Sequence, residues 1–187
     1  QVLPRVSIEV GYNRRWLTNF VVTDNRLQAV TDHATFSVTA PIDARLPAEA
    51  SGRVLPGLYN VNQNVASLVD QLQTLAGDYG TYSQDSHGIL FNISARPRSG
   101  LVFQGGVNTN DTRTDYCEVR GELPEQNVAP ISPTNPWCDT TTGWVTRITG
   151  LGSYTVPKVA VLVSGTFRSD QGAPLAANMA FTANQTT

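Results

Sequence analysis

No stretch of about 18 consecutive apolar residues occurs in the chain, which excludes a transmembrane helix. Alternating strands are then the only route across a bilayer. Charge is also scarce: 15% of the residues are charged, the formal net charge is −2, and Lys158 is the only lysine. Arginine carries nearly all the positive charge, and there is no basic footprint for nucleic acid. The two histidines, His33 and His87, lack the CxxC or HxxxH company of a tetrahedral zinc site. There is no GxSxG elbow, and no residues call for a cofactor. The chain opens at Gln1 without a methionine or a signal-peptide pattern, so it reads as a processed product or an excised piece.

Cysteine is limited to Cys117 and Cys138, both in one Pro- and Asn-rich polar segment. Such a pair in an exposed loop reads as a stapling disulfide made in an oxidising compartment, with two free thiols as the alternative. The 15 glycines and 11 prolines, with abundant Asn, Thr and Ser, suit strands joined by turns and long polar loops.

Five segments alternate as half-buried strands do. They lie at about 4–15, 83–96, 101–109, 144–156 and 159–168. In the first, Val6, Ile8, Val10 and Tyr12 oppose Ser7, Glu9, Gly11 and Asn13. In the second, Ile89, Phe91, Ile93 and Ala95 oppose Leu90, Asn92, Ser94 and Arg96. Tight turns are expected at Pro97 to Gly100 and at Pro157-Lys158, and long loops at 16–82 and 110–143. Within the first loop, Asn64 is placed to cap a short helix over Val65, Leu68, Val69, Leu72 and Leu75 that stops at Gly77.

A soluble β-sandwich alternates in the same way, so period alone does not separate it from a membrane barrel. Loop asymmetry does, because tight turns and long loops segregate by side as in outer-membrane barrels. Tyr12, Trp16, Phe20, Tyr82, Trp144, Tyr154 and Phe167 fall mostly near strand ends, where aromatic girdles sit. The expected fold is all-β: an antiparallel meander of long strands forming part of a transmembrane β-barrel, with short periplasmic turns and long extracellular loops. Five strands fall short of the roughly eight in the smallest barrels, so the missing strands are expected from a longer polypeptide.

A family resemblance sharpens this expectation. The segments LPRVSIEVGYNRRWLTNFVVTDN, TAPIDARLP, GLYNVN, GLVFQGGVNTNDTRTDYCEVR, NPWC and LGSYTVPKVAVLVSGTFRSDQGAPLAANM follow one another along nearly the whole chain. Together they resemble the C-terminal barrel region of TonB-dependent outer-membrane receptors, of the Acidobacteria-like type that carries a carboxypeptidase-like regulatory domain. The resemblance implies a barrel of about 22 strands with a plug domain, importing a bulky ligand such as a siderophore, oligosaccharide or peptide. It implies as partners the rest of the barrel and plug, TonB, outer-membrane lipid and the imported ligand. It also implies that Cys117 and Cys138 lie in an extracellular loop in the bacterial outer membrane, with the two tight turns facing the periplasm. Neither plug nor TonB box is visible in these residues. An extracellular all-β assembly subunit that uses strand addition is the alternative.

No catalytic constellation stands out. Asp85, Ser86 and His87 are adjacent on a strand and therefore point to opposite faces, and a non-enzymatic chain is expected. Asp111, Asp115, Glu118, Glu122, Glu125 and Asp139 form an acidic region without calcium-loop spacing, and a solvated loop is the plainer reading. Asn92, Asn110 and Asn184 begin chance-level sequons. The candidates for stacking on or hydrogen-bonding a bulky polar ligand are Trp16, Arg26, Tyr59, Arg113, Tyr116, Arg120 and Trp137. Packing of the loops is the alternative role for each.

Overall fold

The computed structural model describes residues 4–126, 131–172 and 178–181. The sequon at Asn184 lies outside them. The chain divides into two units: Gln1–Trp16, Asp85–Arg113 and Thr141–Ala173 form the first, and Leu17–Gln84, Thr114–Thr140 and Pro174–Thr187 the second.

The first unit is built on long antiparallel strands. Strand β1 is Val6–Leu17, β6 is Ser83–Arg98, β7 is Leu101–Asp115, β9 is Val145–Val156 and β10 is Val161–Asp170. They pair in the order β1-β6-β7-β9-β10, and the short β8, Asp139–Thr141, adds to β7. Sequence alternation thus locates all five strands, although β6 and β7 run on to Arg98 and Asp115, past the expected ends at 96 and 109. The β6–β7 turn tightens to Ser99-Gly100, and the β9–β10 turn occupies residues 157–160. Both turns lie at one end of the sheet, because Leu101 pairs with Tyr154 and Val161 with Val156.

The register aligns the faces of β7, β9 and β10. Phe103 pairs with Gly152, Gly105 with Gly150 and Val107 with Ile148, while Val163 pairs with Tyr154 and Phe167 with Gly150. A side chain's paired neighbours across the sheet therefore share its face. One face carries Phe91, Phe103, Val107, Ile148 and Phe167, and around its central glycines these side chains border a shallow groove of about 500 Å³. The opposite face carries Ser7, Glu9, Asn92, Ser94, Gln104 and Thr149, with Asn92 donating to Glu9 at 2.9 Å. Because side chains alternate strictly, a slip of one residue would move an entire apolar row to the polar side.

The second unit holds two short hairpin-like sheets. Strand β2, Val21–Asn25, pairs with β5, Gln71–Leu75, and β3, His33–Thr39, pairs with β4, Val54–Val61, through a bulge between Phe36 and Val38. The helix expected over Val65 to Leu75 does not form. Its C-terminal half is strand β5, because β2 supplies a ladder partner from Val21↔Leu75 to Asn25↔Gln71. A marginal isolated helix of this length offers less than a completed strand ladder. The helix that does form is α1, Cys117–Glu122. It contributes Val119 to a core with Val22, Ala76, Tyr116, Leu123 and Ile131. Phe20 and Tyr82 belong here too, stacked with ring centroids 3.9 Å apart, so these two aromatics pack a core instead of a girdle.

The Cys117–Cys138 disulfide forms, with the cysteines 21 positions apart in sequence. Two hydrogen bonds accompany it: Tyr116 N–H donates to the Cys138 carbonyl at 3.0 Å, and the Tyr116 hydroxyl to the Trp137 carbonyl at 2.7 Å. Closing a loop of this size is worth roughly 3 kcal/mol. Changing both Cys117 and Cys138 to serine is therefore expected to lower stability by about 2–4 kcal/mol, read from denaturant midpoints, with loss of near-ultraviolet circular dichroism from Tyr116 and Tyr82. The β6–β7 turn has its own requirement, since Gly100 sits at φ 76° and an added Cβ would lie 3.2 Å from the Thr155 carbonyl oxygen. Gly100→Ala is expected to cost about 1–2 kcal/mol in the same measurement, whereas Gly172→Ala, where nothing lies within 4 Å of an added Cβ, changes little.

Candidate functional site

The seven ligand candidates fall in different surroundings. Trp16 is exposed at the end of β1, with the Arg14 guanidinium 5.7 Å from its ring centre, and Arg113 is exposed on β7. Both belong to the first unit. Arg26 follows β2 in the second unit and pairs with Asp70 at 2.8 Å, which raises its pKa through the hydrogen bond and the charge of that carboxylate.

The other four cluster in the second unit. Tyr116 is 1% exposed, and burial pushes its hydroxyl pKa up, so its ring is core. Arg120 is 7% exposed, donates to the Gly57 carbonyl at 2.6 Å and lies 4.7 Å from the Tyr59 ring centre. Its guanidinium joins β4 to α1. Trp137 is 49% exposed, with Arg53 at 5.3 Å from its ring. Tyr59 lines a cavity. Packing thus takes Tyr116 and Arg120, while Trp137 and Tyr59 keep accessible surface.

That cavity, of about 480 Å³, is enclosed by β2, β3, β4 and the segment from Pro124 to Gln126. The segment is tied down by backbone groups of β2: Asn25 N–H donates to Glu125 Oε1 at 3.2 Å and Thr23 N–H to Gln126 Oε1 at 3.4 Å. Asn25 is spent on structure, its amide donating to the Leu68 carbonyl and its oxygen accepting from Asp70 N–H at 2.8 Å. Two further groups face the cavity: His33, and Glu125 with its bond from Asn25 N–H. The Glu125 carboxyl is half-buried, and burial pushes its pKa above the ordinary glutamate value, with the Asp24 charge adding to the rise and backbone N–H groups opposing it. His33 Nε2 is buried and has no hydrogen-bond partner among the described residues. Its Nδ1 lies 3.1 Å from the Ala29 carbonyl, which can only accept, so Nδ1 carries the proton and Nε2 presents a lone pair in the neutral ring.

Sequence reading set aside His33 as isolated and Glu125 as part of a solvated acidic loop. Their meeting depends on β3 pairing with β4 and on the fold of the 124–126 segment, neither of which leaves a local motif. Among the described residues no three His, Cys, Asp or Glu side chains come together as a metal site. Near β1, Ser86 bonds Thr112 at 2.9 Å while His87 Nδ1 meets Tyr12 at 2.8 Å and Asp85 pairs with Arg14 at 3.1 Å. These three adjacent residues are engaged separately: Asp85 and His87 share a face and meet β1, while Ser86 points to the other.

No family model matches the chain, and neither the curated proteins nor the solved structures contain a significant match to it.

A carboxyl whose pKa is raised on folding stabilises the fold while protonated, and that contribution is lost as pH rises through the folded-state value. The contribution of Glu125 is therefore complete below the unfolded glutamate range, near pH 4, and declines above it. Glu125→Gln keeps an oxygen for Asn25 N–H but does not ionise. The stability of the variant relative to the parent is expected to increase between pH 4 and pH 7 in urea titrations; a pH-independent difference would show that burial does not act on this group.

Proposed function

We propose that the chain is a segment of an outer-membrane TonB-dependent receptor barrel which, in the full-length protein, imports a bulky ligand such as a siderophore, oligosaccharide or peptide. One observation carries the reading: apolar side chains recur on every second residue of five adjacent strands, and many are exposed, Val10 at 72% and Phe167 at 61%. Such an expanse is not stable in water but suits hydrocarbon. The shortest of these strands has 10 residues and the longest 16, and a tilted strand needs about 9–11 to cross a bilayer.

Aromatic and basic groups at the two ends of the sheet support the same reading. Arg98 lies 4.9 Å from the Tyr154 ring near the tight turns, and Arg14 lies against Trp16 at the other end of β1. Interfaces favour such pairs, where an amphipathic ring meets headgroups. On the polar face Arg147 and Arg168 both bind Asp170, an arrangement suited to a wet lumen. Strands β1 and β10 are the edges of the sheet, and in lipid their free backbone groups need further strands, here assigned to the remainder of the barrel. The disulfide accords with an oxidising, extracytoplasmic location for the second unit. In this reading its hairpins are the extracellular loops, and plug, TonB and lipid are the partners.

The open edges equally suit the alternative, an extracellular subunit that assembles by strand addition. Strand addition would leave the apolar face uncovered, which favours the barrel.

Substitution distinguishes the two faces. Phe167→Arg, on the apolar face opposite Gly150 at the middle of β9, is expected to cost about 2–4 kcal/mol when the protein is folded into vesicles, and Thr166→Arg on the polar face less than about 1 kcal/mol. Equal costs, or a chain that is monomeric in buffer without detergent, would overturn the membrane reading.

A further inference from the structure

The cavity of the second unit is lined by a half-buried carboxylate and an unpartnered imidazole acceptor, with no lysine or arginine among its described lining residues. The Glu125 carboxylate accepts from Asn25 N–H, but no cation in the lining balances its charge, and His33 Nε2 accepts from nothing among the described residues, so part of their desolvation cost stays unrelieved. Tyr59, Val61 and Pro133 are among the apolar walls around them. Arg120 lies against Tyr59 but is committed to the Gly57 carbonyl. The titratable groups whose fields reach Glu125 are His33 and Asp24, and burial holds its carboxyl pKa up, so an incoming cation would relieve a destabilised anion.

We propose that this cavity binds a primary ammonium group carried on a short apolar arm, with the Glu125 carboxylate as counter-ion and His33 Nε2 accepting one N–H. Three donors on one small cation match two acceptors that line one cavity, one on β3 and one on the 124–126 segment, and the arm lies along Tyr59 and Pro133. A neutral alcohol supplies one donor and no charge. A quaternary ammonium supplies charge and no donor. The chemistry is shared by a free alkylamine and by the lysine side chain of a peptide, and the cavity's volume of about 480 Å³ admits either.

The site rests on the geometry of the second unit, and it deepens the receptor reading by naming a ligand class for the proposed loops. The test is a titration of the whole 187-residue chain in detergent micelles, followed by calorimetry and by the amide and ring resonances of His33, Tyr59 and Gln71. The probes are n-butylammonium, n-butanol, tetramethylammonium and Nα-acetyl-lysine amide. Saturable binding of n-butylammonium at least tenfold tighter than of n-butanol or tetramethylammonium, weakened at least tenfold in Glu125→Gln, is the expected result. Comparable binding of the lysine amide would identify a peptide source, and its exclusion a free amine. Absence of n-butylammonium binding to the parent chain, equal binding of n-butanol, or unchanged binding in Glu125→Gln would overturn the proposal. If the chain proves soluble without detergent, the same titration in plain buffer decides the amine site while the membrane reading alone fails.

Discussion

Strand register is the constraint on which the first unit depends. A strand side chain has one of two directions, and pairing of Gly105 with Gly150 and Gly152 with Gly165 forces the apolar rows of β7, β9 and β10 into one surface. Contacts at β1 continue it, since Tyr12 meets His87 and Glu9 meets Asn92 on opposite sides of the same pair of strands. Everything proposed about lipid and lumen follows from this alignment. Had the tight turn at Ser99-Gly100 one residue more, β6 and β7 would oppose greasy and polar rows. The left-handed backbone at Gly100, hemmed in by Thr155, is therefore a small local condition with a long reach.

The second unit answers to a different constraint. Its strands are short, and two-stranded ladders alone are marginal in water. A disulfide, the helix α1 and the ring stack of Phe20, Tyr82 and Tyr116 supply what the ladders lack. Glu118 extends the brace, accepting from Thr81 N–H at 2.7 Å. Arg120 is buried at the cost of desolvation, offset by the Gly57 carbonyl and the face of Tyr59. Among the described residues two buried side-chain nitrogens keep no hydrogen-bond partner, Arg120 Nε and the His33 Nε2 that faces the cavity.

The long strands were legible because each carries its own period over ten or more residues, and the turns because Pro and Gly mark them. Segment 16–82 was not legible in the same way. Gln71 to Leu75 has no alternation strong enough to outweigh the apolar spacing that also fits a helix, and its partner Val21 to Asn25 lies far away in sequence. Of the ligand candidates, Tyr116 and Arg120 show why residue type is a weak guide: an aromatic or a guanidinium serves a core as readily as a ligand. His33 and Glu125 carried no signal beyond being single polar residues in polar loops.

By itself, then, the amino-acid order determined the all-β class, the five long strands, their two faces and the tight turns, because period and turn chemistry are properties of neighbouring residues. Tertiary structure decided the pairing of β2 with β5 and of β3 with β4, the inward turn of Tyr116 and Arg120, and the meeting of His33 with Glu125. Those outcomes depend on closing long loops and on which groups burial leaves without partners, and no short window of sequence contains either quantity.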